Sequence, residues 1–142
     1  MSREIGFRVW SKKHNTYFEL SGLHYEGDKI DGIFAISGTL AGIPNVIFLE
    51  PEDVMLEQDT GLKDENGKEI YEGDIIEVFS TDDYLARFEG VYRVYFDNMW
   101  LAYMMYKVKS HYASVTEFFE PEMSTNIKVI GNIHENPELL EN

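Results

Sequence analysis

A chain of 142 residues fits one domain or two small lobes, and its 44% hydrophobic and 14% aromatic content supplies the apolar surface a packed core requires. Twelve basic against 26 acidic side chains leave a net charge of −14, which repels phosphate backbones and anionic lipid and excludes a general nucleic-acid-coating role. The absence of cysteine excludes a disulfide frame, a thiolate metal site and a thiol nucleophile.

Ile5, Phe7 and Val9 alternate with Gly6, Arg8 and Trp10, the period of a strand with one face turned inward. A polar turn over Lys12–Asn15 and the return through Tyr17, Phe18 and Leu20 predict an opening hairpin. Further short strands are expected over Leu23–Tyr25 and Lys29–Ile36, parted by the turn tripeptide Glu26-Gly27-Asp28. Gly38–Asn45, with Gly42 and Pro44, reads as a loop, and Val46–Leu49 as a strand closed by Pro51.

Asn66-Gly67 predicts a hairpin built on a type I′ turn, and Glu72-Gly73-Asp74 a second tight turn leading into a strand over Ile75–Phe79. Gly90–Phe96 and Met99–Val108 read as two long strands joined at Asp97-Asn98. Ser114-Val115-Thr116-Glu117 has capping-box spacing and predicts a short helix to about Glu120, stopped by Pro121. Ile127–Ile133 is a last strand, and Asn136-Pro137 an N-cap with proline in the first helical position. The expected fold is mainly β, a β-rich α+β arrangement of short antiparallel strands and hairpins. An N-terminal β lobe over residues 1–58 would precede a small barrel-like part over 59–142, with one or two short helices near the C-terminus.

The opening Arg3-Glu4-Ile5-Gly6-Phe7-Arg8-Val9-Trp10 is followed by the block Thr60-Gly61-Leu62-Lys63-Asp64 to Tyr71-Glu72-Gly73-Asp74. The ending is Val129-Ile130-Gly131-Asn132-Ile133-His134-Glu135-Asn136-Pro137. In order and spacing these segments resemble the YopX family of phage and prophage proteins. The resemblance implies a phage or prophage origin, a bacterial cytoplasmic setting and a mainly β fold, and it assigns no catalytic residue.

Catalytic patterns are missing from the residues themselves. No Gly-x-Ser-x-Gly elbow occurs, and Asn66-Gly67-Lys68-Glu69 fails a P-loop in glycine spacing and final hydroxyl. The four histidines, at 14, 24, 111 and 134, show no His-x-His or His-Glu-x-x-His pairing, so neither a metal nor any other cofactor is expected. Asp64-Glu65-Asn66-Gly67 is no EF-hand loop, because aligning its glycine puts Leu62 at the first ligand and Gly73 at the bidentate one. Asp82-Asp83, Glu117, Glu120 and Glu122 read as solvated charge in so acidic a chain. An enzyme is therefore not expected. Nor is a membrane protein, since no apolar run approaches the roughly 18 residues of a span and Met1-Ser2-Arg3-Glu4 starts no signal peptide.

One region is electrostatically different: Arg87, Arg93, Lys107 and Lys109 face only Glu89 and Asp97 between Arg87 and His111, where aromatics also gather. Strand alternation sets Met99, Leu101, Tyr103, Met105, Lys107 and Lys109 on one face, opposite Trp100, Ala102, Met104, Tyr106 and Val108, which read as core. Arg87, Arg93, Tyr103, Met105, Lys107 and Lys109 are accordingly the candidate binding residues, for a protein partner or a second copy of the chain. The alternatives are a second sheet face covered by the chain itself, direct nucleic-acid binding through the basic aromatic segment, and mimicry of DNA by the acidic surface.

Overall fold

The alternating apolar residues of the first segment form β1 (Phe7–Ser11), and the polar turn returns the chain into β2 (Thr16–Glu26) in antiparallel register, with Val9 opposite Phe18 and Trp10 opposite Tyr17. This computed structural model describes residues 6–79, 89–99, 101–108, 116–118 and 126–141. Trp100, Arg87 and Lys109 lie outside the described residues, as do Asp82, Asp83, His111, Ser114, Glu120 and Glu122. The chain divides into two compact units, Ile5–Gln58 and Asp59–Asn142.

In the first unit, β3 (Lys29–Leu40), β4 (Ile43–Leu49), a 3₁₀ turn at Pro51–Asp53 and the start of β5 (Val54–Lys63) follow β2. The strands lie in the order β4-β3-β2-β1-β5 and all neighbours are antiparallel. Residues of one parity face the core: Val9, Ile33, Ala35 and Leu49 are buried, with Phe18, Leu20, Leu23, Ile47, Val54 and Leu56 packed on them. Burying a side chain of this size is worth roughly 1.5 to 3 kcal/mol. Register shifts between Leu20 and Gly22 and between Ile36 and Thr39 mark bulges, which increase strand twist.

Gly38–Asn45 is not the loop its glycines and proline suggest. β3 continues to Leu40 and turns through Ala41 and Gly42, whose φ of 52° and 79° allow Leu40 to pair with Ile43 across a two-residue hairpin turn. Pro44 is accommodated because β4 stands at the end of the sheet, where a missing N–H costs no inner ladder bond.

The second unit begins where β5 pairs with β6 (Glu69–Tyr71), and adds β7 (Asp74–Val78), β8 (Gly90–Asp97), β9 (Ala102–Val108), β10 (Thr116–Phe118) and β11 (Ile127–Asn132). The last five run β10-β9-β8-β7-β11, all antiparallel. Ile70, Ile76, Val78, Tyr92, Val94, Met105 and Ile127 form its core, joined by Leu62 and Val129.

Three local signals lead elsewhere than the sequence predicts. Thr116–Phe118 pairs with Tyr106–Met104 as a strand rather than continuing a helix from the capping-box residues, so sheet pairing overrides the local capping signal. The Asn66-Gly67 hairpin forms, but Asn66 is not left-handed; Gly67, at φ 79°, closes a three-residue loop by donating its N–H to the Asp64 carbonyl. At the end of the chain Pro137 does open a 3₁₀ turn, Pro137–Leu140, while the Asn136 side chain accepts from the Asn132 N–H instead of capping it.

Candidate functional site

The central block and the ending that carry the family likeness form a hydrogen-bonded scaffold. Asp64, buried, accepts at Oδ1 from the Asn66 and Lys68 N–H groups and at Oδ2 from the Val129 N–H, tying the hairpin loop to β11. Burial pushes its carboxyl up, but those three N–H donors and the Lys68 charge outweigh it and hold the group below the ordinary aspartate value. Thr60 donates to the Ile70 carbonyl, Asp74 accepts from the Tyr71 N–H, and Asn132 accepts from the N–H groups of His134 and Glu135. These polar side chains bond to the backbone and shape turns.

A serine, a histidine and an aspartate meet at the end of β1 in an order that differs from a catalytic triad. Ser11, fully buried, donates to Asp53 Oδ2 at 2.7 Å, accepts from the His14 N–H at 3.2 Å and lies 2.9 Å from His14 Nδ1. The aspartate thus accepts the hydroxyl's hydrogen bond directly, whereas a nucleophilic triad needs the imidazole between them. That hydrogen bond, opposed by burial and aided by the Lys13 N–H and the charges of His14 and Lys13, lowers the Asp53 carboxyl. Among the described residues no three His, Asp or Glu side chains gather to hold a metal ion.

The structure divides the candidate binding residues of the β8 and β9 hairpin between two faces. Tyr103, Met105 and Lys107 stand opposite Phe96, Val94 and Tyr92, on the face that carries the core. Met105 is fully buried there, so it cannot belong to a contact surface; strand alternation places it beside Val94. Tyr103 packs edge-on against Phe96 at 5.3 Å, and the Lys107 ammonium lies 5.8 Å from the Tyr92 ring centroid. Arg93 is on the other face, paired with Tyr106, and these two with Tyr95 line a groove of about 220 Å³. Of the neighbours expected in the core, Met104 and Val108 are buried, whereas Tyr106 is 40% exposed.

A different surface emerges on the first unit. Leu40 and Ile43 at the tip of the β3 and β4 hairpin are 78% and 70% exposed, and Val46 and Phe48 along β4 are about half exposed. Phe48 meets Phe34 edge-on at 5.5 Å, with its ring over the backbone of Gly32. The apolar row thus continues from β4 onto β3. From Gly32 to Leu49 the chain carries no Asp, Glu, Lys, Arg or His, the signal by which the sequence marks this surface. Its glycines and proline disguise it as a loop.

Two antiparallel β units, scaffolded by turn-forming side chains and bearing an uncharged apolar hairpin, define a small all-β protein. The YopX protein family model matches residues 6–141, and the chain belongs to that family. It is similar to protein EF1440 from Enterococcus faecalis, whose crystal structure superposes with a TM-score of 0.63 at 28% identity, covering 99% of this chain and 100% of that one. No curated protein matches. Among the described residues no helix is long and apolar enough to cross a membrane.

Proposed function

We propose that this protein is an interaction module, encoded by phage or prophage and acting in the bacterial cytoplasm by binding protein rather than by catalysis. The observation that carries this reading is the uncharged hairpin at the end of the first sheet, where Leu40, Ile43, Val46 and Phe48 stay exposed on a chain of net charge −14. Water-exposed apolar rows that do not serve the chain's own core are the usual anchors of protein contacts. An edge strand adds a line of backbone donors and acceptors to which a partner strand can pair. The family likeness is what supports this setting.

The nucleic-acid reading draws on the Arg93, Tyr95 and Tyr106 groove, which offers aromatic faces beside a cation. It is the weaker of the two, because Lys107 projects from the opposite face and lies against Tyr92, leaving no continuous basic track between them.

Parallel affinity captures with the native chain and with a Phe48→Lys variant test the proposal, with circular dichroism confirming the fold of each. The expected result is a partner, or self-association, that the variant loses. Equal capture and equal self-association by both proteins would defeat the hairpin as the binding surface. A filter-binding titration whose affinity drops steeply with salt would favour the nucleic-acid reading instead.

A further inference from the structure

We infer that the occupant of the hairpin surface is a second copy of this chain, joined by antiparallel pairing of β4 with its own counterpart about a two-fold axis at Val46. This rests on the interaction reading above and specifies the partner.

Self-complementarity is the first ground. β4 stands at the end of its strand order and, among the described residues, pairs only with β3, so its other edge has N–H and C=O groups to offer, with a carbonyl alone at Pro44. With the axis at Val46, the middle of Ile43–Leu49, Ile43 meets Leu49 of the partner subunit, Pro44 meets Phe48 of the partner subunit and Val46 meets its own equivalent. Alternation then puts Pro44, Val46 and Phe48 of both copies on one continuous face, which extends the Phe34 and Phe48 contact. The other face places Ile43 and Asn45 against Leu49 and Ile47 of the partner subunit, prolonging the core row of the sheet. Such an isologous interface closes on itself and stops at two copies.

Charge is the second ground. Two molecules of net charge −14 repel at every acidic surface, and a second copy approaches best where charge is missing. Neither β4 nor the stretch of β3 beside it, from Gly32 onward, carries a charged side chain. A basic partner would instead be drawn to the acidic surface. The two occupants therefore respond oppositely to salt: screening strengthens pairing of like-charged copies and weakens attraction to a basic protein.

The test is light scattering over a concentration series at low and high salt, with Val46→Lys as the disrupting variant. Val46 is 48% exposed, so this substitution leaves the fold in place while setting two ammonium groups face to face on the axis. A cysteine-free chain also allows a single reporter thiol. Val46→Cys brings two sulfurs to the axis at cross-strand Cα spacing that suits a disulfide, whereas Asp28→Cys, on an exposed turn, does not.

The expected results are a concentration-dependent dimer that tightens several-fold with salt, its loss in Val46→Lys, and oxidative cross-linking of Val46→Cys well above Asp28→Cys. A monomer at every concentration and salt, or a dimer that survives Val46→Lys or weakens with salt, overturns the inference. If the chain is monomeric and Phe48→Lys still loses a captured protein, the second copy fails as occupant while the interaction module stands. If no partner is lost either, both fail.

Discussion

Asp64 shows what the polar residues of the central block do. Replacing it with Asn keeps an acceptor for Asn66 and Lys68 but turns an NH₂ group toward the Val129 N–H, so two donors meet in a buried place. Asp64→Asn should lower unfolding free energy by about 1 to 3 kcal/mol, measured by urea titration at pH 7. Since the folded carboxyl sits below the ordinary value of 3.8, its contribution is complete above that pH and is lost as pH falls through the lower folded value. The gap between wild type and variant should accordingly narrow below about pH 4. An undiminished gap at low pH would mean that shape rather than charge sets the loss. Gly67 is a second residue-scale case, with φ 79° and no neighbour within 4 Å of an added Cβ. Gly67→Val should cost about 1 to 2 kcal/mol through backbone strain alone, and Gly67→Asn much less, since Asn tolerates the left-handed region. Equal thermal midpoints for both variants would remove the strain account.

At the scale of elements, the hairpin of β3 and β4 divides into a tip that the fold does not need and a base that it does. Leu40→Ser and Ile43→Ser, at the exposed tip, should each shift the stability of the monomer, measured in the Val46→Lys background at low protein concentration, by no more than about 0.5 kcal/mol. Ile33→Ala, in the same β3 strand but at 1% exposure, should cost about 2 to 5 kcal/mol. Comparable losses at tip and base would show that the tip is covered within the folded chain. The same element marks where sequence reading stopped. Alternation and turn chemistry made β1, β7, β8 and β11 legible, because each side chain there favours the state it adopts, whereas β2 runs unbroken through what reads as two strands, Tyr17–Leu20 and Leu23–Tyr25, and β9 starts at Ala102 rather than Met99. Gly38, Gly42 and Pro44 favour a loop locally, and only pairing with the rest of β3 makes a strand of Ile43–Leu49. Thr116–Phe118 is similar: a capping signal predicts helix, and pairing with β9 decides for strand. Candidate binding residues suffered from a related limit. Alternation correctly grouped Tyr103, Met105 and Lys107 on one face, but which face meets the core depends on Ile76 and Ile127, distant in sequence. The hairpin surface was readable only as missing charge from Gly32 to Leu49, a pattern that periodicity does not measure.

Over the whole molecule, 26 acidic against 12 basic side chains make electrostatic self-repulsion a standing cost of compactness. One contact that offsets it locally is Arg8, which pairs with the buried Glu57 at 2.9 Å and lies over the Tyr17 ring, an arrangement shielded from salt by its burial. Repulsion among exposed carboxylates is not shielded. Raising ionic strength from about 0.01 to 0.15 M shortens the screening length from roughly 30 to 8 Å, which removes most of that repulsion while leaving the Arg8 and Glu57 pair nearly unchanged. Thermal unfolding should therefore shift upward with sodium chloride, and recovery of about 1 kcal/mol would raise Tm by roughly 3 to 5 °C for a chain of this size. Dimer formation would raise Tm in the same direction, so the measurement belongs on Val46→Lys at low protein concentration, where only the intramolecular effect remains. A Tm that falls with salt in that variant would mean that attractive surface pairs outweigh the net charge, and would locate its stabilising electrostatics in specific pairs rather than in the excess of carboxylates.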